Sequence, residues 1–146
     1  MDTQYETLKV LVADDVAAHR HLLGAILETL QVKPDLVCDG AAAAAAAEET
    51  AYDLILLDVS MPVMDGLEAG RRIRAHERAR GGRRTAIFMV TSHTDPLDVL
   101  ASREAGADGH IAKPLRVAPV LEAIHYAARR RPNPTGFAGF IHSKAA

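Results

Sequence analysis

Five short apolar runs alternate with longer segments of helical period along this 146-residue chain, and that alternation restricts the fold more than any other feature. The runs are residues 8–13, 35–38, 53–57, 86–91 and 109–112. After the first, Leu22, Leu23, Ile26, Leu27 and Leu30 form one stripe of helical spacing, which Lys33-Pro34 should stop. Gly40 leads into seven consecutive alanines, Ala41 to Ala47, and then Glu48-Glu49. Alanine is the best helix former, so this segment is a helix with little bulk to pack. Residues 53–57 are the most apolar run and should lie centrally.

Residues 60–66 read as a loop, punctuated by Pro62 and Gly66. The helix after them puts Leu67, Gly70 and Ile73 inward and its arginines outward, and Gly81-Gly82 breaks it. Asp95-Pro96 caps a further helix that ends near Gly106. Val117, Val120, Leu121 and Ile124 mark the last one. Strands and helices alternating at these lengths imply parallel βαβ units, hence an α/β fold with a doubly wound five-stranded parallel sheet. Right-handed crossovers narrow the topology further. The expected organisation is one domain over residues 1–131 and a C-terminal tail over 132–146. Pro132, Pro134, Gly136 and Gly139 interrupt any pattern in the tail, although Phe137, Phe140 and Ile141 offer apolar docking groups.

Composition excludes several classes. Hydrophobic residues are 49% and charged residues 25%, an ordinary globular balance. The net charge of −2 gives no bulk electrostatic case for nucleic acid, and no DNA-binding domain is expected. Cys38 is alone, which rules out an intrachain disulfide and fits a reducing compartment. No apolar run nears the roughly 20 residues of a membrane span, and nothing reads as a signal peptide. A cytoplasmic protein without a membrane segment is expected.

The chemistry gathers at strand ends. Asp14 and Asp15 close the first run, Asp58 closes the third, and Lys113-Pro114 follows the fifth. In a parallel sheet, strand ends of one sense share one edge. Three carboxylates and an ammonium would then meet in one cleft, suited to a small hard cation and a phosphoryl group. Asp14-Asp15 also suits plain helix capping. Asp58, at the end of a wholly apolar strand, is poorly placed for stability and well placed for chemistry. A carboxylate can attack phosphorus to give an acyl phosphate, with a metal and Lys113 stabilising the transferring group. Thr91 ends the fourth run and can offer it a hydroxyl.

Together these marks resemble the receiver domain of two-component response regulators, a CheY-like, flavodoxin-like fold. The resembling residues are Asp14-Asp15, Asp58, Met61-Pro62-Val63-Met64-Asp65-Gly66, Thr91-Ser92, Ala105-Gly106-Ala107-Asp108 and Lys113-Pro114, spread over residues 8–130. The resemblance implies strand order 2-1-3-4-5. It implies Asp58 as phosphoacceptor, taking phosphoryl from a histidine kinase or histidine phosphotransfer protein. Mg²⁺ would be held by Asp15 directly, Asp14 mainly through water, Asp58, and the backbone carbonyl of Ser60. Lys113 and Thr91 would bind the phosphoryl group. The chain would be a stand-alone switch rather than an enzyme, assisting its own phosphorylation and dephosphorylation. It would signal by protein contact through the fourth helix, fifth strand and fifth helix.

Two departures stand out. His110 occupies the position where the family has Tyr or Phe, the partner of Thr91 in switching. An ordinary half-buried histidine is the simpler expectation there. Ser60 and His93 flank the expected path of attacking water and should tune acyl-phosphate lifetime. His19 and His21, two apart on a helix, face apart and make an improbable metal pair.

Three other readings stay open. One is a phosphorelay shuttle or a receiver cut from a hybrid histidine kinase, suggested by the extended segment from Arg74 to Arg84. A second is an aspartate-nucleophile phosphatase, whose usual Asp-x-Asp on the first strand is absent. The third is a module binding an anionic nucleotide second messenger, a cyclic dinucleotide being the specific guess. It would act through Arg74 and Arg78, four apart on one helix face, and Arg129, Arg130 and Arg131 at another helix end.

Overall fold

The computed structural model describes Tyr5 and residues 7–130. Arg131 and the tail lie outside the described residues. Five strands, β1 (Val10–Ala13), β2 (Asp35–Val37), β3 (Leu54–Asp58), β4 (Ala86–Thr91) and β5 (Gly109–Ala112), form one parallel sheet in the order β2-β1-β3-β4-β5. Five helices connect and follow them: α1 (Ala17–Glu28), α2 (Gly40–Glu49), α3 (Gly66–Arg80), α4 (Pro96–Glu104) and α5 (Val117–Arg130). This is the doubly wound CheY-like fold implied above. Among the described residues, no helix is long and apolar enough to cross a membrane.

Strand period divides the core into two layers. Val10, Val12, Leu54, Leu56 and Val90 pack with Leu23, Ile26 and Leu27 of α1 and Val120, Ala123 and Ile124 of α5. Leu11, Ala13, Ile55, Leu57, Ile87 and Met89 face the other way, toward Ala43 of α2 and Ala69 and Ile73 of α3. Each central strand is therefore buried on both faces, which explains its unbroken apolar sequence. The two edge strands differ, with Asp35 and Leu36 of β2 and His110 and Ala112 of β5 exposed.

The alanine run packs closely against the neighbouring structure. Asp39 caps it, its Oδ1 accepting from the Ala42 N–H at 2.7 Å. A Cβ on Gly40 would lie 2.0 Å from the Met64 carbonyl oxygen, so the helix start touches the loop after β3.

Three sequence expectations are corrected. α1 stops at Glu28, ahead of Lys33-Pro34. There Thr29 Oγ1 donates to the Ile26 carbonyl and Gln31 takes φ 64, so Leu30 lies past the helix. Leu22 is exposed rather than part of the buried stripe. Not all α3 arginines point outward either: Arg74 is only 4% exposed.

Register positions the functional edge. Ala13 pairs with Leu57, Asp58 with Val90, and Thr91 with Ala112. The next residues extend these ladders, since Asp14 N–H donates to Val37 and Lys113 N–H to Thr91. Asp14, Asp58, Thr91 and Lys113 thereby leave the sheet along a single edge.

Candidate functional site

Asp14, Asp15 and Asp58 each bring a carboxylate oxygen within 4.8 Å of the others. Asp14 and Asp58 are buried and Asp15 is exposed, so the cluster opens to solvent on one side. Asp14 Oδ1 accepts from the Val16 N–H at 2.9 Å, and the Asp14 carbonyl accepts from Arg20 Nη1 at 2.7 Å. Asp58 Oδ1 accepts from the Ser60 N–H at 3.2 Å. Asp58 Oδ2 accepts from Lys113 Nζ at 3.2 Å, and the same ammonium lies 3.6 Å from Asp14 Oδ2.

These contacts hold Asp58 in an unusual electrostatic position. Its pKa is raised, first by burial and then by the Asp14 charge; Lys113 and the Ser60 N–H pull the other way without prevailing. Asp14 Oδ2 is buried and accepts no hydrogen bond from the described residues. A buried carboxylate oxygen with no donor, beside a second carboxylate under electrostatic strain, fits a divalent cation held by oxygen donors.

The loop after β3 is folded tightly onto Asp58. Gly66 N–H donates to the Val59 carbonyl at 2.8 Å. A Cβ on Gly66 would come 2.2 Å from the Asp58 carbonyl oxygen, a distance only glycine avoids. Asp65 then caps α3 by accepting from Glu68 N–H at 2.8 Å. The Pro62-to-Gly66 sequence thus turns the chain away while keeping Asp58 fixed.

Thr91 is buried, and its Oγ1 accepts from the His93 N–H at 2.9 Å, so in this arrangement the hydroxyl holds its own loop. Ser60 and His93 are both exposed, and the Ser60 N–H is directed at Asp58. His110 is exposed on β5, not half-buried as expected, and lines a small groove with Val99, Ser102 and Arg103.

The arginine reading requires correction. Arg74 Nε donates to the Gly106 carbonyl at 2.9 Å, Nη1 to Glu77 at 2.8 Å and the Thr85 carbonyl at 2.7 Å, and Nη2 to Asp108 at 2.9 Å. This guanidinium is committed to tying α3 to the segments before β4 and β5, and is not available to an anionic ligand. Arg78 is exposed beside an open groove of about 510 Å³. Neither Arg129 nor Arg130 lines that groove; Arg129 borders another, and Arg130 lies 5.2 Å over the Tyr126 ring. The two arginine groups therefore do not converge. Arg131 lies outside the described residues.

One neighbour of the cluster was not anticipated. His19 Nδ1 sits 3.4 Å from Asp14 Oδ2. Its signal in the sequence was its place in the first turns of the helix that follows the acid pair. His21 is exposed.

Comparison with known proteins converges on one family. Residues 10–125 match the response regulator receiver domain. Hybrid signal transduction histidine kinase L of Dictyostelium discoideum is 37% identical over 119 residues, covering 80% of this chain. Transcriptional regulatory protein ResD of Bacillus subtilis is 38% identical over 130 residues, covering 89%. The chain spans only 7% of the first protein and 51% of the second. Among solved structures, the receiver domain of sensor histidine kinase PA1611 from Pseudomonas aeruginosa PAO1 superposes with TM-score 0.74 at 31% identity. The match covers 83% of this chain and 97% of that one, and that structure has a magnesium ion coordinated in its active-site cleft.

Proposed function

This chain belongs to the response regulator receiver domain family of two-component signalling, and from that premise we propose that it is a Mg²⁺-dependent phosphoaspartate switch with Asp58 as phosphoacceptor. The observation that carries the reading is the buried Asp58 carboxylate, bonded to Lys113 and clustered with Asp14 and Asp15. The phosphoryl donor is a phosphohistidine on a histidine kinase or phosphotransfer protein. An Asp58 oxygen attacks phosphorus, the P–N bond breaks, a P–O bond forms, and the imidazole leaves with the electron pair.

Asp14, Asp15, Asp58 and the Ser60 carbonyl are the groups that would hold Mg²⁺, which supplies charge stabilisation to the transferring oxygens. Lys113 already touches Asp58 and needs little movement to follow the phosphoryl group. Thr91 Oγ1, which donates to the His93 carbonyl at 3.5 Å, would turn that proton to a phosphoryl oxygen. That exchange of partners gives the switch two discrete states, whose balance phosphorylation shifts. His110, on the adjacent strand, is the group next in line to respond.

The protein is a phosphoacceptor that aids its own phosphorylation and dephosphorylation rather than a turnover enzyme, and it works in the cytoplasm with its donor. Its output is protein contact through α4, β5 and α5, where Leu97, Leu100 and Val117 are exposed. The likeness to a hybrid histidine kinase favours a second reading with the same chemistry, a receiver serving within a larger kinase or passing phosphoryl onward. Labelling by a phosphohistidine donor tests the proposal: the wild type takes up acid-stable, base-labile phosphoryl in Mg²⁺, and Asp58→Asn takes up none. Label persisting on another residue of the Asn variant would end the Asp58 assignment. Return of the label to a second histidine protein would favour the relay reading.

A further inference from the structure

We infer that His19 is an additional protein donor to the cation at the carboxylate cluster, giving the site a nitrogen ligand that favours Mn²⁺ over Mg²⁺. The inference rests on the reading of the cluster as a metal site and specifies which metals it prefers.

Two orphaned atoms carry it. Asp14 Oδ2 and His19 Nδ1 are both buried, and neither has a hydrogen-bond partner among the described residues. They face each other at 3.4 Å. That is long for an N–H···O bond and too short to seat a water between them. Adjacent donors on a six-coordinate ion with bonds of roughly 2.1 Å stand roughly 3 Å apart. This pair is near that spacing, and His19 must turn further in to share an ion with Asp15 and Asp58, since its nitrogens stand outside the 4.8 Å group the three carboxylates form. His19 flanks the cluster on the Asp14 side, outside the set of three carboxylates, and its side chain is 35% exposed. It therefore has room to turn toward the cluster.

The surroundings leave that role open. Arg20, the adjacent residue, spends Nη1 on the Asp14 carbonyl rather than on the carboxylate. Lys113 sits closer to Asp58 than to Asp14, at 3.2 Å against 3.6 Å. α1 begins at Ala17 after an extended Val16, so His19 stands in its first turns, next to the strand end that carries Asp14. Magnesium prefers oxygen donors and retained water, whereas imidazole strengthens binding of first-row transition ions. A histidine here therefore separates the two classes of ion.

The test loads metal-free protein with substoichiometric Mn²⁺ and records pulsed electron paramagnetic resonance for nitrogen coupling from a bound imidazole. Wild type, His19→Ala, His19→Gln and His93→Ala are compared, with Mn²⁺ and Mg²⁺ affinities measured by titration. Nitrogen coupling is expected in wild type and His93→Ala and absent in both His19 variants. The Mn²⁺ to Mg²⁺ affinity ratio should fall by about tenfold in the His19 variants, the low end of what losing a supporting group at a metal site costs. Tight Mn²⁺ binding without nitrogen coupling, or coupling that survives in His19→Ala, overturns the inference and leaves the metal site standing. Absence of saturable Mn²⁺ binding in the wild type overturns both.

Discussion

Replacing Arg74 with alanine should destabilise the protein more than any other arginine substitution in α3. The side chain is 5% exposed and makes four hydrogen bonds, two to carboxylates and two to backbone carbonyls. Breaking a buried ion pair from one side costs roughly 3–5 kcal/mol, because a charge is left behind. Here the carboxylates keep some partners. Asp108 still accepts from Ile87 N–H at 2.9 Å and Arg84 at 3.2 Å, and Glu77 from Thr85 N–H at 2.8 Å. That moves the charge penalty toward about 3 kcal/mol. The buried Thr85 carbonyl loses its Arg74 donor and adds about 1 kcal/mol, while the Gly106 carbonyl still accepts from Arg84 at 3.2 Å. The total is about 4 kcal/mol. With a urea m-value near 2 kcal/mol/M, the unfolding midpoint falls by about 2 M. Arg78→Ala, an exposed change in the same helix, should leave the midpoint in place. Equilibrium urea unfolding followed by circular dichroism makes the comparison. A loss below about 1 kcal/mol for Arg74→Ala at unchanged m would show that the network is not holding α3, and would reopen Arg74 to ligand binding.

Other outcomes follow from the site. In chelator, Asp58→Asn should raise the melting temperature at neutral pH. The folded state binds the Asp58 proton more firmly than the unfolded chain does, so wild-type stability falls as pH rises from the ordinary carboxylate range through the raised folded pKa. The advantage of the Asn variant should therefore vanish in acid and level off above that pKa; a constant gain across pH would refute the electrostatic cause. Mg²⁺ at about 100 times its Kd should stabilise the wild type by about 2.7 kcal/mol, seen as a shifted melting curve, and Asp14→Asn should lose most of it. Gly66→Ala must move backbone beside Asp58, and should cost at least ~2 kcal/mol and reduce phosphoryl uptake even in molecules that remain folded. Lys113→Met should raise the Asp58 pKa further by removing a cation at 3.2 Å, read by carboxylate titration in nuclear magnetic resonance.

The strand ends were legible because an apolar run that stops at an acid signals both burial and a function. Asp14 and Asp58 carried that signal, and register did the rest by setting them on one edge. Helix ends were less legible. α1 closes through Thr29 and Gln31, local turn geometry that overrides the later Lys33-Pro34 stop. Arg74 was misjudged because its charge argued for solvent. Its position argued otherwise: it is four residues after Gly70 and seven after Leu67, both assigned inward, and the same period turns it toward Asp108. What the period cannot supply is the partner, since Asp108 lies 34 residues away. For His19 the partner is near in sequence, but Asp14 ends a strand and His19 sits in the following helix, so no single period relates the two.

The charge at the edge gives the proposed function its logic. Three ionised carboxylates and one lysine leave the cluster at −2, with Asp14 and Asp58 shut away from water. A phosphoryl group arriving on Asp58 replaces one negative charge with about two, so transfer into this cleft alone runs uphill. A divalent cation neutralises the cluster beforehand and leaves about −1 afterwards, with Lys113 free to follow the new oxygens. The same count explains why the resting site tolerates Asp58 with a raised pKa. The cation would relieve the strain that burial and Asp14 impose on the free carboxylate, and in the proposed phosphorylated state the negative charge restored on the new oxygens would attract Lys113 and the Thr91 hydroxyl.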